Sequence, residues 1–184
     1  MNKNDGNVFF LTDFDDNMEE DIVLPLIKEI QHQRRLVDGH IDLYINSFGG
    51  YKHLAFQLIS LVENAKREDV IVRTIVPDVA YSAGSMLAIT GTPGYRFIEK
   101  NAEHLIHYGI TGSMETTPEQ LERNNRQKQG NFKKILNHYK GYTDIPWEEL
   151  DRLMNDDSAF IPSAKCIKWG MADKYMDKFD ISYW

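Results

Sequence analysis

Cysteine is almost missing from this chain of 184 residues; Cys166 stands alone. A single thiol excludes an intrachain disulfide and any metal centre built on several thiolates. Basic blocks are missing too: the net charge is −7 and no stretch gathers lysine and arginine, which argues against a nucleic-acid surface. No apolar run approaches the ~18 residues that a membrane-spanning helix needs. The opening MNKNDGNVFF lacks the basic-then-apolar pattern of a secretory leader, so a cytoplasmic location is expected. No Gly-Lys-Ser/Thr follows any glycine pair, so the chain carries no phosphate loop and no ATP site of its own. Repeats and low-complexity tracts are also missing.

What remains is an ordinary globular composition, 42% hydrophobic and 27% charged, long enough for one domain spanning 1–184. Val8 to Thr12 reads as a first strand, and the acids that follow lead into a helix through Ile22, Val23, Leu26, Ile27 and Ile30, with Pro25 delaying or kinking it. His40 to Ser47 alternates as a strand and ends in Phe48-Gly49-Gly50. Leu54, Leu58 and Leu61 then form a helical stripe reaching about Asn64. Val70 to Val76 is a β-branched strand that leads to Ser82. Strand and helix alternate, which predicts an α/β fold with a mostly parallel sheet.

Thr117, Pro118 and Gln120 read as a capping box opening a helix to about Tyr139, with Gly141 beyond its end. Its middle, Glu122 to Asn131, holds no apolar residue, so this domain's core cannot hold it and it is expected to project. Asp144 reads as the cap of a further helix carrying Trp147, Leu150 and Leu153. A short extended piece to Ile161, a helix Pro162 to Trp169 and a closing strand Met171 to Tyr175 complete the chain.

Most serines in a protein are small packing residues, and most histidines at strand ends are structural. Placement sets Ser82 and His107 apart. Ser82 lies at a strand-to-helix junction, where the N–H groups of Ala83 and Gly84 have no helical acceptor. His107 ends the later apolar run Leu105-Ile106, and His104 is expected on the opposite face. A hydroxyl, a base and free amide donors are the parts of a nucleophilic site. Gly49-Gly50, directly after a strand, can add a second donor. No histidine pair has zinc spacing, so neither a metal nor another cofactor is expected.

Together these pieces carry a resemblance. FFLTDFDDNMEEDIV, DLYINSFGG, the Ala80-Tyr81-Ser82-Ala83-Gly84 elbow, LIHYGITG and FIPSAKCIKWGMAD occur in the order seen in ClpP, the proteolytic subunit of the Clp proteases. The chain is thus similar to a family whose wider fold includes the crotonases. The resemblance implies repeated β-β-α units with a projecting handle helix at about 117–140, Ser82 as nucleophile, His107 as base, and backbone oxyanion donors at Gly50 and Ala83. For the acid, strict counting back from Phe160 lands on Ser158, and counting forward from the Trp147–Leu153 helix lands on Asp157. One extra residue reconciles the two and favours Asp157, with Asp156 behind it. The resemblance also implies polypeptide substrates, a homo-oligomer of stacked heptameric rings (a tetradecamer), and an AAA+ unfoldase partner, although the segment before Val8 is shorter than the family's axial loop.

The chain departs from the family at the expected substrate edge. Phe48 replaces a proline, Tyr108-Gly109 replaces Gln-Pro, and Gly112 lacks its partner glycine, so a different substrate preference is expected. Three other readings use the same residues. A non-catalytic ring subunit would keep the fold without a working triad, as Ser158 at the acid position would dictate. A crotonase-type acyl-CoA enzyme would not need the Ser82–His107 pair. An unfoldase-independent, phage-type processing protease would fit the short N-terminus, but no lysine stands in a Ser–Lys motif.

Overall fold

The computed structural model describes residues 7–108, 118–156 and 159–176, without the side chains of 118–121 and 123–128. Strand β1 (Val8–Leu11) leads to a π-helical turn, Glu19–Val23, that runs into α1 (Leu24–Gln33). The turn answers the Pro25 problem. Pro25, which has no N–H to donate, falls where the π-helical turn passes into α1, and the Leu24 N–H reaches back to Glu19 O in the wider spacing. Next come β2 (His40–Ile45), α2 (Lys52–Arg67) and β3 (Ile71–Val76). Strand β4 (Val79–Tyr81), helix α3 (Ala83–Ala88), β5 (Arg96–Ile98) and β6 (Glu103–Leu105) follow. The chain closes with α4 (Pro118–Tyr142), α5 (Trp147–Met154), β7 (Phe160–Pro162), α6 (Ser163–Lys168) and β8 (Lys174–Tyr175).

Two sheets result. Five parallel strands run in the order β1-β2-β3-β5-β8, and three short ones run β4-β6-β7, parallel then antiparallel. The expected α/β fold is therefore observed, and the succession β3-β4-α3 then β5-β6-α4 is the repeated β-β-α unit. Ile41, Leu43 and Ile45 are fully buried and belong to the same core as Leu54, Leu58 and Val62 of α2. Each such side chain contributes about 1.5–3 kcal/mol of burial. The opposite face of β2 is closed by cross-strand pairs: Asp42 with Arg73 through a forked ion pair, and Tyr44 stacked on Phe10 at 5.2 Å.

The last part of α4 is anchored to the core. Ile135 and Tyr139 are buried, His138 Nε2 donates to Met86 O (2.8 Å), and the Tyr142 hydroxyl donates to Glu63 (2.6 Å). Burial lowers the His138 pKa, which keeps it a neutral donor there. A second fastening holds the far edge. The Arg96 guanidinium forks onto Asp173 (2.6 and 2.9 Å) and donates to Gly170 O (2.7 Å), while Asp173 also accepts the Gly94 and Arg96 amides.

Several expected boundaries move. Gly141 lies inside α4, because Thr143 N–H still closes onto Tyr139 O. Asp144 does not cap α5. Pro146 holds that position, and the Asp144 amide donates to Trp169 O instead. Pro162 ends β7 and caps α6, which begins one residue later than expected, and only Lys174–Tyr175 of the closing strand is paired, against β5. The proposed Thr117 cap, and Gly109 and Gly112, lie outside the described residues.

Candidate active site

The small sheet brings the sequence candidates to one end. β4 and β6 run parallel with Tyr81 opposite Leu105, so Ser82 and His107 leave neighbouring strands in the same direction. The Ser82 N–H donates to Leu105 O at 2.8 Å, locking the junction to β6. Ser82 itself stands at φ 51, ψ −113, outside the regions open to ordinary L-residues. A strained residue persists only where its surroundings over-determine it, and such strain gathers at functional sites. Here the strain turns the chain at once from strand into helix, with Met86 N–H closing onto Ser82 O (3.1 Å). A sharp strand-to-helix turn of this kind presents a serine hydroxyl beside the first helical N–H groups, here that of Ala83.

Gly49 and Gly50 arrive on the other side. Ser47 bridges Ala80 of β4, and Gly50 bridges Phe14, so the segment lies between them as an extra strand. The Phe14 N–H and C=O bond to Gly49 O (2.9 Å) and Tyr51 N–H (2.8 Å). In a parallel bridge that pattern turns the Gly50 N–H away from Phe14, toward the β4 side. Gly49 is so close that an added Cβ would lie 2.8 Å from Ser82 Cβ, and both glycines have positive φ, +104 and +137. No side chain fits between this loop and the serine.

His107 is half-buried beyond the end of β6. The next residue, Tyr108, donates its N–H to Met154 O (3.2 Å) and packs its ring on Phe132 of α4 at 4.4 Å, so the histidine's backbone is fixed from two helices. The expected separation from His104 holds: His104 faces the core, fully buried. Asp157 and Ser158 lie outside the described residues. Their neighbours locate the approach of the chain, because β7 runs antiparallel to β6 with Phe160 opposite Leu105. Ala159 therefore enters β7 at the end of the sheet where His107 leaves β6. Asp156 is half exposed, 3.7 Å from Arg152 one helical turn earlier.

One pair escaped the sequence reading. Ser85 Oγ lies 3.0 Å from His104 Nδ1, both wholly buried one layer behind the candidate site. The signal was present in the alternation that turned His104 inward, but a serine one helical turn after Ser82 gave no sign of what it would meet. Cys166 packs close by, its Sγ 3.4 Å from Ile161 O, and burial pushes its thiol up to about 12. It is thus no nucleophile. Among the described residues no group of His, Cys, Asp or Glu is arranged to hold a metal ion, and no helix is long and apolar enough to cross a membrane.

Comparison with known proteins agrees on one family. The model of the family described as Clp protease matches residues 2–179. An ATP-dependent Clp protease proteolytic subunit of Deinococcus radiodurans is 29% identical over 141 residues, covering 77% of this chain and 67% of that protein. The protein of the same name from Streptococcus mutans is 28% identical over 177 residues, 91% of this chain and 82% of its own. That of Streptococcus uberis is 34% identical over 137 residues, 70% and 65% respectively.

Proposed function

The chain belongs to the Clp protease family, and from that membership together with the site's geometry we propose that it is a serine endopeptidase working inside an oligomeric barrel. Ser82 attacks the peptide carbonyl carbon while His107 takes its proton and then returns it to the leaving amine. Asp157 orients the imidazole and stabilises its charged form. The N–H groups of Gly50 and Ala83 donate to the oxyanion of the tetrahedral intermediate. Water then attacks the acyl-serine, with His107 again as base. The observation that carries this reading is the strained Ser82 elbow, bonded to Leu105 and packed against Gly49.

Substrates are extended polypeptides that add as a strand beside the Phe48–Gly50 segment. The stretch of α4 from Glu122 to Asn131, which holds no apolar residue, supports assembly through this helix into stacked heptameric rings. Its relatives are named ATP-dependent, and this sequence carries no phosphate-loop motif, so the energy comes from an AAA+ unfoldase partner in the cytoplasm.

A fluorophosphonate probe tests the core of the reading. It should label the wild-type chain at one site, and Ser82→Ala should abolish the label. A wild-type protein that stays unlabelled, or a variant labelled equally, overturns the assignment and leaves a non-catalytic ring subunit.

A further inference from the structure

Behind the elbow is a second serine–histidine contact that no step of peptide hydrolysis uses. Ser85 lies on α3 one turn after Ser82, and His104 lies on β6 just before Leu105, whose carbonyl receives the Ser82 amide. Both side chains are fully buried and their polar atoms meet at 3.0 Å. Burial pushes the His104 pKa down to about 3, so the ring stays neutral and serves as a hydrogen-bonding group rather than a charge. Tyr139 of α4, also buried, has its phenol pKa raised by desolvation, and the Ser85 hydroxyl stands near enough to offset part of that rise. Among the described residues, His104 Nε2 and the Tyr139 hydroxyl have no hydrogen-bond partner. A polar pair in a dry interior is costly unless its bond is kept, and it fixes direction where apolar contact does not.

α3 and β6 are the two elements from which Ser82 and His107 emerge. Rotation of α3 about its axis would swing the Ser82 hydroxyl and the Ala83 amide together, and would relax the strained φ of 51. A sliding β6 would carry His107 with it. The Ser85–His104 bond opposes both movements from inside the core. We infer that Ser85 and His104 are positioning residues that clamp α3 to β6 and hold Ser82 in attacking register with His107. This rests on the serine-peptidase reading above.

The test uses the full-length assembly, measuring the fluorophosphonate labelling rate, and kcat and KM on a fluorogenic peptide. Ser85→Ala and His104→Leu should each lower kcat and labelling on the order of tenfold to a hundredfold with KM little changed, as misplacement of reacting atoms does. His104→Asn, whose side-chain amide can occupy the Nδ1 position, should restore most of the rate, whereas the equally sized leucine should not. The decisive arm is Ser85→Ala with His104→Leu together. Removing both polar groups leaves neither of them unpaired, so thermal stability should recover toward wild type while kcat stays low. It also remains informative if a single variant does not fold. A double variant with wild-type kcat and labelling, in a wild-type protein that is labelled, overturns the clamp and leaves the peptidase standing. A wild-type protein that does not label removes both.

Discussion

Two carboxylates follow α5 in succession, and the proposed mechanism gives them different work. Asp156 continues the helical line, its amide bonded to Leu153 O (3.2 Å) and its carboxylate facing Arg152 across solvent. An exposed pair of this kind contributes ~0–1 kcal/mol, so Asp156→Asn should leave peptidase turnover within about twofold of wild type. Asp157→Asn should lower kcat by as much as ~10⁴, the loss known for a serine triad whose acid no longer fixes the histidine tautomer. Steady-state assays of both variants on a small fluorogenic peptide separate the two. If Asp157→Asn keeps full turnover, the triad fails and a Ser82–His107 dyad is left. The identity of this acid was the least legible part of the sequence. The proposed nucleophile and base each stand at the end of a strand, a placement the sequence pattern makes visible. The acid comes after a helix whose end is offset by one residue from Phe160, and counting from either side gives a different answer.

Among the elements, β8 is held to β5 by an ion pair beside its strand pairing. Arg96 from β5 and Asp173 just before β8 are both mostly buried, and Arg96 also donates to Gly170 O at the end of α6. Burial alone would raise the Asp173 pKa; the Arg96 and Gly94 hydrogen bonds outweigh it and hold the carboxyl below its usual 3.8. A depressed folded pKa means the contribution is complete above the unfolded value and is lost as pH falls through the folded one. Asp173→Asn should therefore lower stability near neutral pH by about 2–4 kcal/mol, since Arg96 is left buried without its counter-charge. It should also flatten the acid dependence of unfolding below about pH 4. Thermal melts of wild type and variant from neutral pH to pH 2 check both. An Asp173→Asn protein with wild-type stability at neutral pH would show that solvent already screens the pair. The long elements were legible because their periods repeat: the α2 stripe and the β2 alternation are both where the pattern puts them. β4 and β5 were not. Each is three residues long, too short for alternation to register, and each exists because partner strands complete it. The π-helical turn is a similar case, a local adjustment to Pro25 that hydrophobic spacing does not record.

For the molecule as a whole, the odd feature is α4, long and without an apolar residue from Glu122 to Asn131. A helix polar all round needs a partner outside its own domain or stands in water. Native mass measurement should find a multi-subunit assembly with the mass of stacked rings, and a stable monomer of 21.4 kDa would contradict it. The family itself was legible because five loose motifs occur together in order, each weak alone. The site's geometry has a further consequence for how such a protein can change over time. Two of the groups proposed for the reaction, the Gly50 and Ala83 amides, belong to the main chain, and no codon change other than one to proline can delete them. Otherwise they are lost by altering the path of the backbone, and Gly50 stands where a methyl group would lie 2.3 Å from Phe14 O. Drift can thus rewrite most of the surrounding side chains while leaving the anion-stabilising half of the site intact. A lineage that abandons catalysis would shed its hydroxyl, imidazole or carboxylate first, and the empty cradle would outlast them.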